Sequence, residues 1–314
     1  MKTVELRPRA PNLTLARVVR EGIEGTSWNR ARDLVRSGRV FVDGSRATEP
    51  EARVPESALV TVQPTAPRQR KGVLVPEAIV HMDADVVVVN KPAGMLSVPY
   101  EPTDRDTLVD VTRAALRRRG PKGYAPELGV VHRIDIDTTG LLVFTRTLDA
   151  KRHLAQQFRE HSVHRRYLAI VHGAFRDATF DTVLLQNRGD GLRGSVGHFR
   201  PARGAPPADA RRAVTHARRI ALLRDASLVE CMLETGRQHQ IRIHLSEAGH
   251  PLVGERVYIR DYAAPLLEAP RPMLHATELG FEHPRTGESM QFAVPAPPDF
   301  AATLAGLRRG AKDA

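Results

Sequence analysis

A chain of 314 residues with 41% hydrophobic and 26% charged residues is long enough for two folded domains and needs no metal or disulfide staple. Its 23 glycines and 23 prolines fall short of a low-complexity composition, which excludes wholesale disorder. The 47 Lys and Arg against 36 Asp and Glu leave a formal net charge of +11, a field that draws polyanions and puts nucleic acid first among partners.

Met1 to Arg9 has no apolar core of signal-peptide length, and nowhere do about 18 apolar residues run together. The expectation is a soluble, cytoplasmic protein without a membrane partner. Residues 12–64 read as a first unit. Leu15, Val18, Val19 and Ile23 recur at helical spacing, and a second helix opens behind a Ser/Thr cap at Thr26-Ser27, turns Ala31, Leu34 and Val35 inward and stops at Gly38. Arg30, Arg32, Arg36 and Arg39 fall largely off that apolar face. A short strand, Arg39 to Gly44, ends in an Asp-Gly turn and pairs with Ala58 to Val62. This αα-then-β module presents an arginine-studded helix suited to phosphate contacts.

Pro64 to Gly72 is polar, Pro-containing and basic, the composition of an exposed linker, so 65–75 reads as the boundary. Residues 76–300 are strand-rich: Ala78 to His81, Val86 to Val89, Gly140 to Phe144, Tyr167 to Val171 and Ser227 to Leu233. The last holds Cys231, the only cysteine, so no intrachain disulfide or cysteine-based zinc site can form, which suits a reducing cytosol. Helices are predicted over 107–118, 149–160 and 237–248. Strands and helices do not alternate as βαβ units, which points to an α+β domain around a mixed, mainly antiparallel sheet. Residues 186–212 read as a long, substrate-facing loop, and 301–314 as a tail.

Two polar clusters carry the chemistry. His132-Arg133-Ile134-Asp135-Ile136-Asp137-Thr138-Thr139-Gly140 precedes an apolar strand, where a scaffold presents reactive groups. Thr235-Gly236-Arg237-Gln238-His239-Gln240-Ile241-Arg242-Ile243-His244 follows a strand and opens a helix. There Arg237 and neighbouring amides can hold a phosphate, and Arg242 can pair with a carboxylate. His132, Asp135, Asp137, His239 and His244 offer N/O ligands, but at no recognised spacing such as H-E-x-x-H, so no metal is assigned. Val88 to Leu96 leaves a strand through Pro92 and Gly94 and reads as a loop and little more.

These segments, in this order, resemble the RluA-type family of pseudouridine synthases over most of the chain. His132 to Gly140 is similar to the family's H-R-L-D-x-x-T-S-G signature, with Ile134 for Leu and Thr139 for Ser. Asn90-Lys91-Pro92-Ala93-Gly94 resembles its N-K-P-x-G segment, and Arg165-Arg166-Tyr167 its K-x-Y segment with Arg165 for lysine. Thr235 to Leu245 resembles T-G-R-T-H-Q-I-R-V-H-L, with Gln238 for Thr. It runs on into Gly249-His250-Pro251-Leu252-Val253-Gly254, after which Glu255 replaces the usual Asp, a change not tied to catalysis. The first unit resembles the small S-four RNA-binding domain, with Trp28 atypical at its helix start.

The resemblance implies an isomerase that turns uridine into pseudouridine in structured RNA, rRNA before tRNA, as a monomer without cofactor. It places the nucleophile on Asp135, the active-site tyrosine on Tyr167 and the cation that holds Asp135 ionised on Arg242. Arg133 would fill the stack vacated by a flipped base, with His132 and Arg237 as further RNA contacts. The carboxylate attacks ribose or base, or assists glycal formation. A catalytically silent RNA-binding factor would have lost the nucleophile, and a metal-dependent hydrolase would need a ligand set the spacings do not supply.

Overall fold

The computed structural model describes residues 3–64, 66, 78–100, 104–121, 123, 125–188, 192–198, 210–259 and 261–309. Two units separate by their internal contacts, Met1–Lys71 and Gly72–Ala314. The first contains β1 (Val4–Leu6), β2 (Leu13–Thr14), α1 (Leu15–Gly22), α2 (Trp28–Arg36), β3 (Val40–Val42), β4 (Ser45–Ala47), β5 (Arg53–Val54) and β6 (Val60–Val62). Thr14 and Ser27 cap the helices by accepting from the amides of Arg17 and Arg30. The inward residues Leu15, Val18, Val19, Ala31, Leu34 and Val35 pack on Val40, Val60 and Val62 into one core. β3 pairs with β4 through Asp43-Gly44, both at positive φ, and with β6, which also pairs with β1. The unit therefore begins at β1, ahead of the 12–64 bounds read from the helical pattern.

The second unit contains β7 (Ile79–Met82), β8 (Val86–Lys91), α3 (Leu108–Arg119), β9 (Gly129–Val130), β10 (Thr139–Thr145), α4 (Leu148–Arg159), β11 (His164–His172), β12 (Ala178–Leu185), β13 (Gly194–Ser195), β14 (Arg211–Leu223), β15 (Ala226–Leu233), α5 (Gln240–Glu247), β16 (Leu274–Glu282), β17 (Ser289–Ala293) and α6 (Pro298–Arg309). One sheet runs β13-β12-β14-β15-β11-β16-β10-β8-β7, with β17 on β16 and β9 on β10. Among the described pairs only β10 and β16 are parallel. The expected mixed, mainly antiparallel α+β architecture is the one observed. No described helix is long and apolar enough to cross a membrane.

The valine run of β8 is buried on both faces. Val87 and Val89, with Leu142 and Phe144 of β10, join a core closed by Leu108 and Leu116 of α3 and Ile241 and Leu245 of α5. Val86 and Val88 join Leu141, Val143 and Leu154 in a separate core, as the two-residue period of a strand requires. Gly140 sits at φ 110° where β10 crosses closest to β16, and a Cβ there would collide with the Ala276 carbonyl.

Two sequence expectations change. Residues 301–309 are the body of α6, whose Phe300 is fully buried and packs with Leu307 against Ile170, Leu228 and Met273; 310–314 lie outside the described residues. The helix was missed because Ala301, Ala302, Ala305 and Gly306 dilute its apolar stripe. Of the loop at 186–212, residues 194–195 form β13 on β12, and Arg211 and Arg212 already belong to β14; the linker 65–75 lies outside the described residues except Ala66. Phe300→Ala is expected to cost about 3–5 kcal/mol in urea unfolding of the full chain. A loss near zero would mean that α6 packs loosely.

Candidate active site

A cavity of about 540 Å³ brings the two polar clusters together. Asp135 lies in it, on the loop between β9 and β10. It is the sole acid among the described lining residues, facing Arg133, Arg165, Arg237 and Arg242. Its side chain is 16% exposed, with Arg242 Nη1 and His239 Nε2 each 3.9 Å away.

The loop is held by its backbone on both sides of Asp135. Ser97 Oγ donates to the Ile134 carbonyl at 2.7 Å and accepts from the Ile134 amide at 3.2 Å. Lys91, buried to 1% exposure, donates to the carbonyls of Ile136 and Met95, both at 2.7 Å, and of Pro92 at 2.9 Å. Arg271 donates to the Asp137 carbonyl at 3.0 Å and is itself gripped by Asp299, at 2.7 and 3.0 Å, from the first turn of α6. Burial pushes the Asp299 carboxyl up, but the Arg271 hydrogen bond and charge outweigh it and hold it below the usual range. Lys91, read from sequence as part of a plain loop, is thus a tether of the Asp135 loop. Its signal was a charge placed directly after four apolar residues and Asn90.

Arg242 is more tightly bound to Glu255 than to Asp135. Nε and Nη2 donate to the two Glu255 oxygens, each at 2.8 Å, and Glu255 also accepts from the amides of Arg256, at 3.0 Å, and Val257, at 2.9 Å. Burial raises the Glu255 carboxyl, yet the guanidinium and these donors bring it down to about 2. The Arg242 guanidinium also lies 5.4 Å from the centre of the Tyr258 ring. The expectation that Arg242 serves Asp135 directly is therefore incomplete. Glu255, set aside in the sequence, is the residue that aims Arg242. A lone acid after the apolar run Leu252-Val253-Gly254 was the available signal, since a buried carboxylate requires a cation.

His239 caps α5 at φ 59°, a left-handed conformation that strains a residue with a Cβ. The turn swings its ring between Tyr258, whose hydroxyl lies 2.7 Å from Nδ1, and Asp135. Burial pushes its pKa down to about 4 against the pull of Asp135, so the ring is neutral. The Tyr258 hydroxyl holds the ring through Nδ1 and leaves Nε2 facing the carboxylate. This turn delays α5 to Gln240, three residues after the predicted start at 237. It is pinned by Gln240, which accepts from Thr235 Oγ1 at 2.8 Å and the Arg237 amide at 2.9 Å and donates to the Val214 carbonyl at 2.9 Å. The Arg237 amide is consequently not available to a phosphate, and its Nε donates to the Arg212 carbonyl at 3.0 Å; the exposed side chain still stands on the cavity wall.

Tyr167 is 7% exposed on β11 and lines the cavity. Burial raises its phenol pKa; the Arg165 charge pulls it back and the Asp135 charge adds to the rise. Arg165 donates to the Glu234 carbonyl at 2.7 Å and lies over Phe158 at 5.5 Å. His132 stacks on the same Phe158 at 4.6 Å and accepts the Val143 amide on Nε2 at 3.1 Å. Burial, with Arg165 nearby, pushes it down to about 3. His132, expected as an RNA contact, is therefore a neutral ring engaged with Phe158 and the Val143 amide that also lines the cavity. Arg133 is exposed at the rim, as are Arg159 and His161 at the end of α4, which the sequence reading did not single out.

His244, weighed with the metal ligands, is bound instead to Thr182 at 2.8 Å and Thr215 at 2.9 Å. Among the described residues three potential ligands converge only at Asp83, Asp85 and His283. Their atoms are taken: Arg285 clasps Asp85 at 2.6 and 2.8 Å, Asp83 accepts two backbone amides, and His283 Nδ1 accepts the Thr286 amide at 3.1 Å.

Glu255→Gln leaves Arg242 without its buried partner and is expected to cost on the order of 3–5 kcal/mol in urea unfolding at neutral pH. Because Glu255 titrates at about 2 when folded against an ordinary 4.5, the wild-type advantage is complete above that ordinary value and shrinks as pH falls towards 2. An advantage independent of pH in that window would remove the ion pair as its source.

A model of the RNA pseudouridylate synthase family matches residues 85–247. A ribosomal large subunit pseudouridine synthase D of Zymomonas mobilis subsp. mobilis is 39% identical over 298 residues, covering 91% of each chain. An uncharacterized RNA pseudouridine synthase of Bacillus subtilis, YlyB, is 35% identical over 288 residues and 90% of each chain. Human RNA pseudouridylate synthase domain containing 4 shares the fold, with a TM-score of 0.59 at 24% identity over 74% of this chain and 93% of that one. The chain belongs to the RNA pseudouridylate synthase family and is an RNA pseudouridine synthase.

Proposed function

We propose that the enzyme isomerises uridines of structured ribosomal RNA, with Asp135 as nucleophile. The observation that carries this reading is the placement of one carboxylate, fixed through its backbone, in a cavity that also gathers Arg133, Arg165, Arg237 and Arg242 and holds no second acid among its described lining residues. The names of the relatives, ribosomal large subunit pseudouridine synthase D, support large-subunit rRNA as the substrate class. The same reading takes the enzyme as a cytoplasmic monomer.

The reaction breaks the bond between N1 and C1′, joins C5 to C1′, and moves the C5 proton away while N1 gains one, with no net redox change. The carboxylate of Asp135 acts at the separating sugar and base, and Arg242, aimed by Glu255, stands 3.9 Å from it as the nearest guanidinium counter-charge. Tyr167 offers a flat face to the uracil, and its raised pKa keeps the phenol protonated, fit to pass a proton rather than to remain an anion. Leu233 and Leu274 supply apolar wall around the base. Arg133, exposed beside the nucleophile, fills the stack the flipped nucleotide leaves. Arg237 and the rim cations take flanking phosphates. In the first unit, read as an S-four-like RNA-binding domain, Arg30, Arg36 and Arg39 add phosphate contacts. Arg30 shares its charge with Asp33 at 3.5 Å, and Arg39 spends Nε on the Ala66 carbonyl at 3.3 Å, which leaves their remaining N–H groups for RNA.

Asp135→Asn is expected to abolish tritium release from rRNA carrying uridine labelled at C5, with RNA affinity within about threefold of wild type. Turnover by this variant within about tenfold of wild type would assign the nucleophile elsewhere. The histidines at the site yield a second expectation. With His239 at about 4 and His132 at about 3, kcat on a fixed RNA stays flat between about pH 5.5 and 8. An inflection near 6.5 that His239→Gln removes would show that this ring gains a proton during the reaction.

A further inference from the structure

Trp28 is the only tryptophan of the chain, and it is placed where folding gains little from it. It is the first residue of α2, directly after the Ser27 cap, is 40% exposed, and has no part in the core of its unit. Its ring is flanked by guanidinium groups, Arg20 of α1 at 4.7 Å and Arg32 of α2 at 5.5 Å from the ring centre. Arg17, Arg30 and Arg32 each have a carboxylate within ion-pair reach, Glu21, Asp33 and Glu51. The exposed Arg20 has none among the described residues, so the indole face is what orients it.

We propose that Trp28 is a stacking platform for one unpaired RNA base, with Arg20 turning from the ring face to an adjoining phosphate. This rests on the reading of the first unit as RNA-binding, and it names the kind of RNA the unit selects. An indole face takes a nucleobase as it takes a guanidinium, and cations beside the ring supply what the backbone phosphates need. Paired bases are stacked within a helix and hide their faces, so the platform requires a loop, bulge or end. Isolation of the ring decides against an apolar partner. Trp28 is the one large apolar side chain exposed in this unit among the described residues, whereas a lipid surface or a protein groove engages several together.

Because Trp28 is the sole tryptophan, emission of the full-length enzyme reports on this position alone. The probes are a labelled RNA hairpin with an unpaired loop and a blunt RNA duplex of the same composition, each followed by tryptophan emission and by anisotropy of the label. The hairpin is expected to quench the emission and the duplex to leave it unchanged. Trp28→Ala weakens hairpin binding about tenfold, Trp28→Phe recovers part of it, and duplex binding stays as it was. Tight hairpin binding without quenching, equal in Trp28→Ala, overturns the platform. Should the Arg30→Ala/Arg36→Ala variant then lower affinity and salt dependence, the unit binds RNA through phosphates alone; should it change neither, the RNA-binding reading of the unit falls as well.

Discussion

One buried guanidinium serves two acids, and the site is organised around that division. Arg242 is clasped by Glu255 through two short bonds, while Asp135 stands 3.9 Å off. A carboxylate locked into its own bidentate pair would be a poor nucleophile, since its lone pairs would be engaged. Leaving the tight pair to Glu255 gives Asp135 the field of a cation without that engagement. Glu255 in turn is fixed by backbone amides, so the electrostatics of the centre rest on main chain rather than on mobile side chains.

The same economy appears in the loop that carries Asp135. Its carbonyls are held by Lys91 and Ser97, which are near each other in sequence, and by Arg271 from far down the chain. None of the three lines the cavity. They place the nucleophile through the backbone and leave the cavity surface to groups that meet the nucleotide. The neutral rings of His132 and His239 stand on the cavity wall itself, where burial removes their charge and leaves geometry as their contribution.

Legibility in the sequence followed physical periodicity. The valine run of β8 and the apolar stretch of β10 were readable because both faces of these strands are buried. β12 and β14 were not readable, since the exposed positions of β14 carry Arg211, Arg212, Arg218 and Arg219 and those of β12 include Thr179 and Asp181, a composition that mimics a polar loop. Within the site, motif order brought Asp135, Tyr167 and Arg242 to attention, and the structure gathers them at one cavity. Lys91, Glu255, Arg271 and Asp299 escaped because their roles arise from pairings across long stretches of chain, which no local pattern encodes.

The Arg271 clasp carries a consequence for synthesis. Asp299, in the first turn of the last helix, holds the arginine that holds Asp137, while the other tethers come from Lys91 and Ser97. The loop is complete only when the beginning and the end of the second unit have met. A chain emerging from the ribosome vectorially, amino end first, therefore has its first unit and most of its sheet strands before it owns a finished catalytic loop. The helix α6 is the closing stitch of the catalytic loop.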